Sequence, residues 1–165
     1  MNTTPPSAGT ALTAPAAAGE VLYTSDWFTI DEDHLRQFSW STYLDDEYVD
    51  LTPSRNNPLG SSLIDGFLLL SLLTYFSFKH APRTGQDTYG FNYGLNRVRF
   101  TSPVMLGERV RVESTVVSAE VRDDGILLTT DNVVSVEGRE KPAMVAQRVT
   151  LQQTVPSTSD RADER

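Results

Sequence analysis

The chain has 165 residues, enough for one domain around a single core. Its formal net charge of -8 at pH 7, without any cluster of Lys and Arg, argues against nucleic acids and anionic membranes as partners. It contains no cysteine and only two histidines, so we expect no disulfide, no metal site, no cofactor and a cytoplasmic location.

Both ends of the chain are predicted to be disordered tails. Residues 1–20 are rich in Ala, Pro and Thr, and residues 156–165 are polar. Neither segment therefore carries enough apolar surface to offset the entropy lost on ordering. The first segment also lacks the basic start and continuous apolar block of a secretory signal. One folded domain is predicted from residue 21 to residue 155.

A short amphipathic helix followed by a long loop is predicted next. Ile30, Leu35, Phe38 and Tyr43 are spaced as one helical face, and acidic residues in the first turn favour the helix dipole. Residues 44–60 contain several acids, two prolines and an Asn-Asn pair, which oppose long regular structure. Loops of this length in compact domains tend to be functional.

The most apolar run of the chain, SSLIDGFLLLSLLTYFSF, begins at Ser61. An Asp and several hydroxyl residues interrupt it, so it is predicted to be a buried helix and not a membrane span. The helix is expected from Ser62 to Lys79. Ser61 or Ser62 would be its N-cap, with Asp65 completing an approximate capping box.

The second half of the chain is predicted to form an antiparallel sheet. Stretches rich in Val, Thr and aromatic residues indicate four strands: Tyr89 to Phe100, Arg109 to Val121, Ile126 to Val136 and Met144 to Leu151. Turn signals at 123–125 and 137–139 favour a meander. Such a sheet needs a cover for its buried face, and only the long apolar helix can provide it. The predicted class is α+β, with the sheet wrapped around the helix.

Two motifs in this order resemble a known family. The segment YGLNRVRFTSPVMLGERVR, from Tyr93 to Arg111, is similar to the strand-turn-strand signature of MaoC-type hot-dog proteins, the (R)-specific enoyl-thioester hydratases and dehydratases. Asp65-Gly66-Phe67 before a Leu/Ser run is similar to the start of their central helix, where the family has His-Gly-Phe or His-Gly-Met. The resemblance covers residues 26–151. It implies a hot-dog fold, a dimer, and acyl-thioester tunnels near the dimer interface.

The resemblance also implies where the reaction would occur. In the family's hydratases an Asp, and a His five positions later, act on the water and the proton from the loop before the central helix. A gapless register from Phe38 places Leu44 and Val49 at these two positions. One inserted residue places Asp45 and Asp50 there instead, and this register is preferred because it keeps a carboxylate at the first position.

Neither register supplies the family's imidazole, and Asp65 replaces the His at the helix start. A carboxyl group can take over this proton transfer where burial or a second carboxylate raises its pKa. Asp45, Asp50 and Asp65 are therefore the predicted catalytic residues. A purely structural interpretation stands beside this one, with Asp45 and Asp50 as turn formers and Asp65 as a helix cap.

Four further residues are predicted to bind the substrate. The N–H of Gly66 carries over from the family as the donor to the thioester carbonyl, because a helix start presents unpaired N–H groups. Thr74 lies two turns further along, on roughly the same face. Asn57 could donate from the loop and Tyr93 could line a pocket, although a turn and core packing explain these two as well.

The sequence is compatible with three functions. The first is a dehydratase or hydratase acting on a β-hydroxyacyl or enoyl thioester of coenzyme A or an acyl carrier protein. The second is a thioesterase, isomerase or cyclase acting on a polyketide-like intermediate. The third is a non-catalytic partner subunit. In each case we expect an acyl thioester or polyketide-like ligand and a homodimer.

Overall fold

The computed structural model describes residues 17–52, 56–60, 62–81 and 88–154. Residues 1–16 of the first predicted tail and the whole second tail, 156–165, therefore lie outside the described residues. In chain order the elements are β1 Val21–Thr24, β2 Phe28–Thr29, α1 Glu32–Ser41, α2 Gly66–His80, β3 Thr88–Phe100, β4 Arg109–Arg122, β5 Gly125–Val136 and β6 Met144–Thr154. The four predicted strands are confirmed, each to within three residues at either end.

The strands form one antiparallel sheet with the order β1-β4-β5-β6-β3, and β2 also pairs with β4. The predicted meander is correct from β4 to β6, where a tight turn at 123–124 joins β4 to β5 and residues 137–143 join β5 to β6. It is wrong for β3, which pairs with β6 instead of β4. The physical reason is the segment between β3 and β4, which makes backbone hydrogen bonds with residues 62 and 64 instead of forming a hairpin turn.

The core lies between α2 and the concave face of the sheet. Leu68, Leu69, Leu73 and Phe76 of α2 are buried in one cluster with valines of β4 and β5. Alternate residues of β4 enter this cluster because successive side chains of a strand point to opposite faces. The sheet thus wraps the helix as predicted. Among the helices of the described residues, none is long and apolar enough to cross a membrane.

The start of α2 differs from the prediction. The helix begins at Gly66 with Asp65 as its N-cap, not with Ser61 or Ser62. The Ser62 carbonyl accepts the N–H of Leu106, and the Ile64 N–H donates to the carbonyl of Val104. These bonds and an antiparallel bridge between Leu63 and Met105 tie residues 62–64 to the segment between β3 and β4, so the helix starts only after them.

Candidate functional site

A cleft of about 670 Å³ lies between α1, the loop that follows it and the start of α2. Its polar lining includes Glu32, Asp33, Arg36, Ser39, Asp45, Asn57 and Asp65. Its apolar lining is Leu35, Phe38, Leu44, Leu51 and Leu63. We call it the acidic cleft. It brings together three of the residues predicted from the sequence: Asp45, Asn57 and Asp65.

Asp45 forms part of the wall of this cleft and also shapes the loop. Its side-chain oxygen accepts the N–H of Glu47 at 3.0 Å, and its carbonyl accepts the N–H groups of Tyr48 and Val49. The residue is exposed. The turn-forming role and the position beside the cleft are therefore compatible, since the hydrogen bond to Glu47 is made by one carboxylate oxygen.

Asp50 is not among the residues that line the acidic cleft. Its carboxylate accepts the N–H of Thr52 at 2.9 Å. Hydrogen bonds from Thr52 hold the pKa of Asp50 below its ordinary value. A carboxylate that holds a proton at neutral pH needs the opposite shift, so the geometry at Asp50 favours the turn-forming interpretation.

Asp65 and Gly66 form the junction between the acidic cleft and α2. The Asp65 carboxylate accepts the N–H of Phe67 at 2.7 Å, which satisfies one of the unpaired donors of the helix start. Within the described residues, the N–H of Gly66 donates to no protein acceptor. A side chain at Gly66 would come to 3.0 Å from the ring of Phe100, so this position fits glycine best.

Asn57 is tied into its own turn. Its side-chain oxygen accepts the N–H of Leu59 at 2.8 Å, and its amide nitrogen lies 3.4 Å from the carbonyl of Gly60. Asn57 therefore stabilises a turn in the wall of the acidic cleft, which is the structural role expected for it from the sequence.

Sequence reasoning missed two acids of the cleft, Glu32 and Asp33, which it treated only as helix-dipole residues. Asp33 pairs with Arg36 at 2.7 Å, one turn along α1. No group of three His, Asp or Glu side chains in the described part of the chain is close enough to hold a metal ion.

The two histidines lie outside the acidic cleft. His34 is the N3 residue of α1, where it completes a capping box with Asp31. His80 is the last residue of α2 and stacks against Tyr23. The cleft therefore has carboxylates but no imidazole to transfer protons.

Thr74 lines a separate pocket of about 270 Å³ between α2 and β3. The pocket also contains Asn92 of β3 and Arg148 of β6, neither of which was singled out from the sequence. The pairing of β3 with β6 brings these two side chains together, and sequence alone placed β3 elsewhere. Tyr93, the last of the predicted binding residues, is exposed on β3 and does not line this pocket.

Comparisons with known proteins agree on one family. A family model described as a MaoC like domain, named for the MaoC dehydratases, matches residues 13–138. Nodulation protein N of Rhizobium leguminosarum bv. viciae is 36% identical over 147 residues, covering 87% of this chain and 91% of the relative. The 3-hydroxyacyl-thioester dehydratase Z of Mycobacterium tuberculosis (strain ATCC 25618 / H37Rv) is 37% identical over 137 residues, covering 81% of this chain and 89% of the relative.

Solved structures with the same architecture confirm the expected hot-dog fold. The X-ray structure of a monoamine oxidase regulatory protein from Archaeoglobus fulgius superposes with a TM-score of 0.68. The match covers 86% of this chain and 93% of that protein, at 19% sequence identity. At this identity the similarity establishes the fold alone.

Proposed function

Because this chain belongs to the MaoC-like dehydratase family, we propose that it is a dehydratase or hydratase of a β-hydroxyacyl or enoyl thioester. The acyl group would be carried by coenzyme A or an acyl carrier protein. The observation that carries the proposal is the unpaired N–H of Gly66, at a helix start that borders the acidic cleft. A cytoplasmic location, expected from the cysteine-free sequence, is part of the proposal.

The N–H of Gly66 would polarise the carbonyl of the thioester. A helix start combines unpaired N–H groups with the positive end of the helix dipole, and both stabilise negative charge on an oxygen. In dehydration that charge develops when the proton on the α-carbon leaves and an enolate forms. A fixed donor aimed at the enolate oxygen lowers the barrier without having to reorganise during the reaction.

Asp45 and Asp65 would then transfer the protons. In dehydration one group removes the α-proton and the other protonates the departing β-hydroxyl, so that one C–H and one C–O bond break and water leaves. Both residues line the acidic cleft. Asp50 was predicted to share this role, but its contact with Thr52 and its place outside the cleft lining favour a supporting role in the loop.

The proposed active form is a homodimer. β3 is an edge strand that leaves Tyr93 and Leu95 exposed, and an exposed edge strand is a template for pairing with another chain. α2 is apolar almost all round and exposes Phe67 and Phe78, which are 68% and 73% accessible. A helix of this kind is normally covered on every side. A second copy pairing along β3 would cover both surfaces.

A non-catalytic binding subunit is the second candidate, and the positions of the histidines favour it. Neither His34 nor His80 lines the acidic cleft, so its lining residues offer carboxylates but no imidazole for proton transfer. Such a subunit would bind the thioester and leave it unchanged. Calorimetric binding of crotonyl-coenzyme A without any gain of water would select this candidate over the enzyme.

Water gain and loss tests the enzymatic proposal directly. The purified protein is incubated with crotonyl-coenzyme A and, separately, with (R)-3-hydroxybutyryl-coenzyme A, and the products are followed by mass spectrometry. We expect interconversion of the two thioesters. Asp45→Asn and Asp65→Asn should each lower the rate by about 100-fold or more, because each removes an acid–base group. Asp50→Asn should change the rate by less than about threefold.

Two results would contradict the enzymatic proposal. One is the absence of water gain and loss by a folded wild-type protein with either thioester. The other is an unchanged rate in both Asp45→Asn and Asp65→Asn, which would exclude the assigned carboxylates. Release of the free thiol of coenzyme A and a carboxylic acid, with the double bond of the acyl group intact, would show thioester hydrolysis instead.

A further inference from the structure

Arg148 is a half-buried cation held by neutral groups. Its Nε and one Nη donate to the side-chain oxygen of Asn92, at 3.1 and 2.5 Å. Its other Nη donates to the carbonyl of Leu73 on α2, at 3.2 Å. A guanidinium has five N–H donors, so these three contacts leave two donors, one on each Nη, without an acceptor among the described residues.

Four of the seven other arginines among the described residues have an anionic partner, and the remaining three are exposed to water. Arg36, Arg109, Arg122 and Arg139 pair with Asp33, Glu137, Glu120 and Glu108 respectively. No carboxylate of the described residues lies within ion-pair distance of Arg148. Burial lowers the pKa of Arg148, which reflects the cost of placing this charge away from water. An anion beside it would offset part of that cost.

Arg148 lines a pocket of about 270 Å³ that is mainly apolar. Leu70, Leu73 and Leu95 form its walls. Thr74 adds a hydroxyl, which lies 3.4 Å from the amide nitrogen of Asn92. An apolar pocket with a few polar groups at one place is typical of a site that binds a chain and recognises its end. We call this site the Arg148 pocket.

The Arg148 pocket lies along the same helix as the proposed carbonyl donor. Thr74 follows Gly66 by eight residues, which at the rise of an α-helix is about 12 Å along its axis. An extended acyl chain bound at Gly66 by its carbonyl could therefore place its far end near Thr74. A short acyl group of two carbons could not.

We propose that the Arg148 pocket binds a carboxylate at the far end of the acyl chain, so that the protein prefers thioesters of dicarboxylic acids over those of simple fatty acids. The location of the thioester end rests on the proposed function. The carboxylate site itself rests on the two unused donors of Arg148, the adjacent Thr74 hydroxyl and the missing anionic partner. Two parallel N–H donors match the two oxygens of a carboxylate.

Calorimetric titration with a matched pair of ligands tests this preference. The probes are octanoyl-coenzyme A and suberoyl-coenzyme A, which differ in the terminal methyl or carboxylate group. We expect the wild-type protein to bind suberoyl-coenzyme A about 10- to 100-fold more tightly, the range for a hydrogen bond to a charged group. Arg148→Met should abolish the preference, and Arg148→Lys should retain part of it. Arg122→Met, at an exposed arginine already paired with Glu120, is the control and should behave as wild type.

Each outcome of this titration has a defined meaning. Equal binding of the two thioesters, tighter binding of octanoyl-coenzyme A, or a preference that persists in folded Arg148→Met would overturn the proposal. The wild-type comparison decides the matter even where the variants fail to fold. Free suberate is the third probe. If it binds in an Arg148-dependent manner while neither thioester gains or loses water, the carboxylate site stands and the proposed enzymatic function fails. If neither suberate nor suberoyl-coenzyme A binds, the site is wrong.

Discussion

The ring of Phe100, the last residue of β3, lies against Gly66, the first residue of α2. A Cβ added at Gly66 would come to 3.0 Å from the nearest ring carbon of Phe100, closer than side chains normally approach. The ring of Phe67 meets the same Phe100 ring edge to face, with the centroids 6.1 Å apart. The edge strand thus packs directly against the helix start that is proposed to polarise the thioester.

We expect Gly66→Ala to be destabilising in a way that depends on Phe100. The added methyl group must displace the ring, and such overpacking costs about 1 to 2 kcal/mol. In the Phe100→Leu background the same change should be neutral or slightly stabilising, since alanine favours the helix. Urea denaturation of the four proteins measures the coupling as a double-mutant cycle. Additive effects of the two substitutions would contradict the contact.

Asp65 is expected to have separable structural and chemical roles. Asp65→Ala should lower the free energy of unfolding by about 1 kcal/mol, because the N–H of Phe67 loses its cap. Asp65→Asn should keep most of the stability, since asparagine caps nearly as well, and still lose enzymatic activity. Asp31→Asn, at the cap of α1, is the matched control and should keep both. Thermal denaturation and the water-gain assay measure the two effects. Full activity in Asp65→Asn would leave Asp65 as a cap only.

The edge strand β3 provides a test of the proposed dimer. Tyr93→Lys places a charge on this exposed strand, and charges on edge strands oppose pairing with a second chain. We expect light scattering to give a dimer for the wild-type protein and a shift toward monomer for the variant. Val121→Lys, at a residue of β4 that is 79% accessible, should remain dimeric. A wild-type monomer, or a variant that dimerises as tightly as wild type, would contradict the proposed interface.

Tyr23 is expected to make stability decline at alkaline pH. Burial raises the pKa of its phenol above the ordinary value of 10.0, although the charge of Arg148 acts in the opposite direction. The folded state therefore keeps a proton that the unfolded state loses, and the free energy of unfolding falls as the pH rises above about 10. Tyr23→Phe should remove this part of the decline.

The same substitution has an expected effect near pH 7. The hydroxyl of Tyr23 is buried beside Ser114 and forms no well-oriented hydrogen bond within the described residues, so its removal should change stability only slightly. Denaturant titrations at pH 8 and pH 11 compare the wild type, Tyr23→Phe and the exposed control Tyr48→Phe. Equal alkaline losses in the wild type and Tyr23→Phe would show that Tyr23 has no part in the decline.

The local features of the fold could be predicted from the sequence, whereas its non-local contacts could not. The alternation of Val and Thr residues and the turn at 123–124 predict the bounds of β4 and β5 closely, because these signals act between neighbouring residues. The position of β3 in the sheet depends on its pairing with β6, a strand far away along the chain, so local sequence patterns did not reveal it. The start of α2 likewise depends on backbone bonds between residues 62–64 and residues 104–106.

The candidate site shows the same division. Gly66 could be found because it matches a family motif, and Asp65 because it stands where that motif has His. Asp45 and Asp50 were equivalent in the sequence and each accepts the N–H two residues on, but only Asp45 lines the acidic cleft. Arg148 and Asn92 are far apart in the chain and meet only through the register of β3 on β6, so no sequence motif connects them.

The carbonyl stretching frequency of a bound thioester tests the central role of Gly66 most directly. Crotonyl-coenzyme A labelled with carbon-13 at the carbonyl is observed by difference infrared spectroscopy, in water and bound to the protein. If the N–H of Gly66 polarises the carbonyl, the band of the bound ligand should lie at a clearly lower frequency than in water. A bound ligand with the same frequency as in water, or a higher one, would contradict the account.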